Sequence, residues 1–163
     1  MSDRPAAPPL GAERYLRIRR PVEIGYWLVS CLLAAIGNTA TARIDVARAG
    51  LDYAPWQVTS WEVSSALSVL ALAPLLVWFT ARWPVHLETW TRRLPLYVAA
   101  SVAWSLLHVA LMLAMRKLVY AWHGEVYAFD WALGYEYLKD ARTFLGLVVL
   151  LVGQTLAEDL GAA

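Results

Sequence analysis

Two lines of polar residues at helical spacing hold most of the chemistry open to this chain. Trp104, His108, Met112 and Arg116 step by four, with Ser101 and Ser105 beside them; Glu136, Lys139 and Asp140 stand at i, i+3 and i+4, with Thr143 a turn further. Residues three and four apart share one face of a helix, so each line is a polar stripe along one side. Asn38, Thr41 and Asp45 repeat the pattern earlier in the chain, and Glu62, Ser64, Ser65 and Ser68 form a fourth group. The expectation is that these groups converge on one polar cavity, with Arg116 paired to Glu136 or Asp140. The residues assigned to this cluster are Asn38, Asp45, Glu62, His108, Arg116, Glu136, Lys139 and Asp140.

Such a set suits charge pairing, hydrogen bonding and proton exchange. No nucleophile, base and oxyanion-donor combination can be assembled from the sequence, so the chain is read as a non-enzyme. No Cys/His group stands at zinc spacing, and there is no P-loop or glycine-rich dinucleotide turn. His86 and His123 fall in loops on opposite sides of the span that carries His108, which leaves no second axial ligand for haem; no cofactor is expected. The lone Cys31 excludes an internal disulfide. A net charge of +1 gives no reason to expect nucleic acid as a partner.

What must position these residues is a set of segments too apolar for water. Hydrophobic residues make up 60% of the chain and the mean hydropathy is +0.47, more than a soluble domain of this size can hide. A membrane helix needs about 20 mostly apolar residues. Four segments approach that, at about 24–41, 63–80, 96–116 and 134–157, the last with a short apolar core extended backwards through charged residues. The fold class expected is all-α, an integral membrane four-helix bundle spanning 21–160, preceded by a disordered basic tail over 1–20. A signal peptide competes for the first segment, since Arg14, Arg17, Arg19 and Arg20 precede it and Ala40-Thr41-Ala42 resembles a cleavage site. The length of the basic and apolar regions favours a retained helix.

Lys and Arg are most concentrated before the first segment, which places both termini in the cytoplasm of a bacterial inner-membrane, multi-pass protein. The nine tryptophans fit the same frame. Tyr53, Trp56, Trp61, Tyr120, Trp122, Tyr127 and Trp131 gather near one boundary, and Trp27, Trp78, Trp83 and Trp90 near the other, as amphipathic rings do at headgroup level. Pro74 interrupts the second segment, whereas Pro21, Pro55, Pro84 and Pro95 are expected to punctuate helix ends. Two readings stand for Arg116 and Lys117: snorkelling to headgroups, or pairing within the bundle. Asn38 is expected to bond a neighbouring helix.

Residues 26–45 (YWLVSCLLAAIGNTATARID), Ala54-Pro-Trp-Gln-Val-Thr-Ser-Trp-Glu with Ser64-Ser65, Ser105-Leu-Leu-His-Val, Met115-Arg-Lys-Leu-Val-Tyr and Tyr135-Glu-Tyr-Leu-Lys-Asp carry a further reading. Together they resemble the four-helix membrane region that precedes the DNA-binding domain in proteobacterial transcriptional regulators of the LytTR type. The resemblance covers about residues 15–157. It implies a sensory or regulatory input module whose fourth helix relays a signal to a cytosolic effector. In one respect the chain departs from that pattern. Such regulators continue into a DNA-binding domain, whereas here Glu158, Asp159 and Leu160-Gly-Ala-Ala follow, with no basic residue to hold phosphates.

The expected partners are the lipid bilayer and either further copies of the chain or another membrane or cytosolic regulator, with no direct nucleic-acid binding. The alternative from a different class is a small oligomeric transporter or an ion- or proton-handling subunit. Both readings draw on the same buried charges.

Overall fold

A computed structural model describes residues 10–85, 90–129 and 133–161, with side chains for 21–22, 24–85, 90–129 and 133–153. Four helices occupy it: α1 (Leu10–Arg48), α2 (Pro55–Arg82), α3 (Trp90–Trp122) and α4 (Leu133–Gly161). Three of them, α1 from Ile24 onward, α2 and α3, are long and apolar enough to cross a membrane. At 1.5 Å per residue, the 28 residues of α2 reach about 42 Å. The first half of α4 carries Glu136, Lys139, Asp140 and Arg142, which sets it apart from the other three.

The helix boundaries follow local chemistry. α2 starts at Pro55, whose missing N–H costs nothing in a first turn, and the Gln57 side chain accepts a hydrogen bond from the Ala54 N–H at 2.8 Å. α1 and α3 both end at a glycine of positive φ, Gly50 (66°) and Gly124 (73°). There the Leu51 and Glu125 N–H groups reach back to the Val46 and Tyr120 carbonyls, closing orphan acceptors of the last turn.

Two proline positions differ from expectation. Pro21 and Pro95 lie inside α1 and α3 rather than at their ends, and α1 begins at Leu10, within the stretch read as a disordered tail. Pro95 stands in the second turn of α3, where few intrahelical bonds are lost. Residues 1–9, His86 and Trp131 lie outside the described residues.

The helices do not close evenly around one axis. α2 is the hub, touching α1, α3 and α4; α4 packs on α3 and α2, and α1 touches α2 alone among the described residues. α1 runs antiparallel to α2, with Cys31 Sγ donating to the Ala66 carbonyl and Arg43 Nη2 donating to Pro55 O and Thr59 Oγ1. A period of three to four residues buries Val58, Ser60, Ser64, Ser68, Leu72 and Leu76 on α2, and Tyr97, Ser101, Trp104, His108, Met112, Arg116 and Tyr120 on α3. Near the 82–90 end the interior is apolar, built from Leu72, Leu76, Tyr97, Trp104, Phe144 and Val148.

The outer face carries many large apolar side chains, and the interior mixes apolar side chains with polar ones. Exposed positions include Leu28, Leu33, Leu67, Leu106, Leu145 and Val149, while buried ones include Ser64, Ser68, Ser101, Ser105, His108, Arg116 and Asp140. Charged residues are rarely buried in soluble proteins, and membrane bundles turn them inward.

Candidate functional site

The polar interior begins where α3 meets α4. Asp140 is 3% exposed and His108 1% exposed. Asp140 Oδ1 lies 2.9 Å from His108 Nδ1, a contact of ion-pair length whose angle is poor for a straight hydrogen bond. Asp140 Oδ2 accepts a hydrogen bond from Ser105 Oγ at 2.8 Å. Ser105 and His108 are three apart on α3, so both project onto the same turn of α4. One carboxylate therefore holds two α3 side chains at once.

The far side of the imidazole faces α2. His108 Nε2 lies 3.3 Å from Ser65 Oγ and 3.3 Å from the Ser65 carbonyl oxygen. A hydroxyl can donate to a bare ring nitrogen, and a carbonyl can accept from a protonated one. The pocket thus presents Nε2 with a suitable partner in either protonation state. In this way His108 joins α2, α3 and α4 through a single ring.

Two turns along α3, Arg116 continues the seam. Nε donates to Ser64 Oγ at 3.0 Å, Nη2 to the Trp61 carbonyl at 2.8 Å and Nη1 to Tyr127 Oη at 2.7 Å. Ser64 in turn donates to the Trp61 carbonyl, so the guanidinium docks on a preformed bend of α2 side chain and backbone. Tyr127 belongs to the α3–α4 connection and packs edge-on against Tyr120, whose hydroxyl accepts from Trp61 Nε1 at 2.8 Å. Gln57 Nε2 donates to Glu125 Oε2 at 2.7 Å, a second tie between the start of α2 and that connection.

The expected pairing of Arg116 with an acid is replaced by neutral acceptors. Asp140 is taken by His108 and Ser105, and Glu136 lies 2.7 Å from Lys139 one turn along α4. The physical reason is depth. Arg116 sits two turns nearer the 122–133 connection than His108, where α2 supplies a carbonyl and a serine, while Asp140 lies level with His108.

Of the residues assigned to the cluster, His108, Arg116 and Asp140 are buried together in the seam. Glu136 and Lys139 form their pair at its edge, and Glu62 is half-buried on α2. Asn38 and Asp45 are exposed on α1, which packs on the opposite side of α2 and reaches neither α3 nor α4. Four contributors lay outside the assigned set: Ser64, Ser65, Ser105 and Tyr127. The three serines stand on the polar stripes by their spacing in the sequence, which does not disclose which of them meets a charged partner. Tyr127 sits in a connection and has no helical register to betray it.

Ser65, His108 and Asp140 stand in the order of a nucleophile, base and orienting acid, an alignment the sequence had not disclosed. The geometry lacks the rest of such a site. Ser65 lies in the interior of α2, where backbone N–H groups are committed to the helix and offer no oxyanion donors. Among the described residues no group of three His, Cys, Asp or Glu side chains converges as a metal would require. Neither a protein-family model, nor a curated protein, nor a solved structure matches the chain.

Proposed function

We propose that this chain is a membrane-embedded sensory or regulatory input module in which α4 is the moving element and the His108–Asp140 junction is its latch. The observation that carries the reading is the buried Asp140 carboxylate of α4, held by Ser105 and His108 of α3 and linked through His108 to Ser65 of α2. Buried polar contacts are directional, so α4 has discrete seated and unseated states rather than a continuum of positions. A stimulus needs only to favour one packing by a few kcal/mol to shift the population.

The membrane setting rests on the three helices of spanning length, on the large apolar side chains exposed along them and on the polar ones buried between them. In the full proposal α4 crosses as a fourth span, so the bundle lies in a bacterial inner membrane with both termini cytoplasmic, and α4 relays its movement to a cytosolic effector as in the LytTR-type regulators it resembles. The chain binds no nucleic acid itself and performs no catalysis; its partner is a second copy or a separate regulator.

The test is a distance measurement in lipid nanodiscs, with spin labels at the exposed positions Leu67 on α2 and Leu145 on α4. Asp140→Asn and His108→Ala are expected to broaden or shift the distance distribution. An unchanged distribution in both variants overturns the latch.

A second reading, a proton-handling subunit, is favoured by one feature: His108 has a partner for Nε2 in either protonation state. Proteoliposome flux separates the two. Proton movement abolished by Asp140→Asn favours transport, and absence of flux together with an α4 shift favours the sensory module.

A further inference from the structure

At the 82–90 end, α2 and α3 part to leave an apolar groove of about 370 Å³. Ala99 and Ala103 of α3 form its notch, Leu75 and Phe79 of α2 its opposite wall, and Trp104 its floor. Leu75, Ala99 and Ala103 are exposed, so the groove opens sideways. Under the membrane reading proposed above, on which this inference rests, that side is the bilayer.

The mouth of the groove is cationic. The Arg82 guanidinium lies 5.6 Å from the ring centroid of Trp83, which itself lines the groove. Arg93 stands three residues before Leu96 and seven before Ala100 on α3, and so on the side of that helix that lines the groove. Arg82 is exposed and Arg93 half-buried, and neither forms an ion pair among the described residues. Among the described residues, two arginines thus stand without an acidic partner at one end of an apolar slot.

We propose that this groove binds an anionic phospholipid, one acyl chain lying along Ala99 and Ala103 and the phosphate held by Arg82 and Arg93. The groove opens sideways onto the bilayer, whose acyl chains meet its apolar lining. Charge selects the headgroup. Guanidinium groups present paired N–H donors that match phosphate oxygens, and basic residues at headgroup level favour anionic lipid. The nearly all-apolar lining offers a peptide backbone nothing with which to bond.

The test is native mass spectrometry of the full chain released from detergent containing equal phosphatidylglycerol and phosphatidylcholine. The expected result is retention of one phosphatidylglycerol in preference to phosphatidylcholine. Arg82→Gln and Arg93→Gln each reduce that preference about fivefold. Ala103→Phe, which fills the notch, removes retention of both lipids; Ala99→Phe, one turn away, replaces it where the first variant does not fold.

Equal retention of the two lipids by the natural sequence overturns the proposal. So does unchanged retention in a folded filling variant, which reduces the effect to headgroup adsorption. A dimer mass that the filling variants abolish also overturns it, by making a second copy the occupant. A chain that stays monodisperse without detergent defeats the membrane reading itself, whereas a detergent-requiring chain without lipid preference defeats only this site.

Discussion

The two halves of the α2–α3–α4 interior are built on different physics. Toward the 122–133 connection, contacts are directional: Arg116 with Ser64, Trp61 and Tyr127, and Asp140 with Ser105 and His108. Toward the 82–90 end, Leu72, Leu76, Trp104, Phe144 and Val148 meet through apolar contact. Apolar surfaces tolerate small sliding with a gradual loss of contact energy, while a hydrogen bond is lost steeply with distance and angle. One half can therefore act as a pivot and the other as a catch. Position along α4 decides which: Asp140 belongs to the catch, and Phe144, one turn later, to the pivot.

Breaking the catch gives the largest expected effect. Asp140→Ala leaves His108 and Ser105 facing a buried void and costs about 4 kcal/mol. Asp140→Asn keeps an acceptor for Ser105 and costs about 1 kcal/mol. Thermal unfolding in detergent, followed by the loss of helical circular dichroism, measures both; equal losses in the two variants would show that a neutral amide cannot replace the carboxylate, and that its charge holds the junction. The pivot comes next. Phe144→Ala removes a ring set 6.0 Å from Trp104 and costs about 3 kcal/mol through the cavity left behind. It should leave the Leu67–Leu145 label distance narrow, in contrast to Asp140→Asn, because the directional contacts survive.

How far the sequence discloses this arrangement differs between the same two halves. The stripe Trp104, His108, Met112 and Arg116 can be read directly from its spacing of four, and the structure buries all four side chains. So can Glu136, Lys139 and Asp140 as neighbours on α4. The pairing between stripes is not legible, because periodicity fixes which side of a helix a residue occupies but leaves its height relative to another helix open. A shift of two turns moved Asp140 from Arg116 to His108. The place of α1 was equally hidden. Asn38 and Asp45 have the spacing of a polar face, yet among the described residues α1 meets only α2, and both side chains are exposed there. Helix neighbours in a bundle depend on packing all four elements at once, which no single stripe encodes.

Arg116 sharpens the comparison within the catch. Arg116→Gln retains some donors but loses the fork that links Ser64, the Trp61 carbonyl and Tyr127, with an expected cost of about 2 kcal/mol. Arg116→Lys should recover little of it, since one ammonium cannot reach three acceptors laid out around a planar group. The distinguishing measurement is hydrogen exchange of the 123–129 connection. Faster exchange there with α4 unchanged assigns Arg116 to anchoring the connection; faster exchange in both places makes it part of the latch.

The smallest effect is expected on α1, and its smallness is the point. Asn38 is exposed on a helix that touches only α2, so Asn38→Leu should change unfolding by less than about 0.5 kcal/mol and leave the Leu67–Leu145 distance as it was. The same substitution in a buried interhelical contact would strand its partner and cost several times more. A large loss for Asn38→Leu would therefore mean that the exposed face of α1 is covered in the assembled protein by another chain. A dimer that dissociates in the variant, seen by cross-linking in the native membrane, would identify that cover as a second copy. A stable variant of unchanged oligomeric state instead leaves α1 as a lipid-facing helix held to α2 through its own Cys31 and Arg43, and the switching machinery confined to α2, α3 and α4.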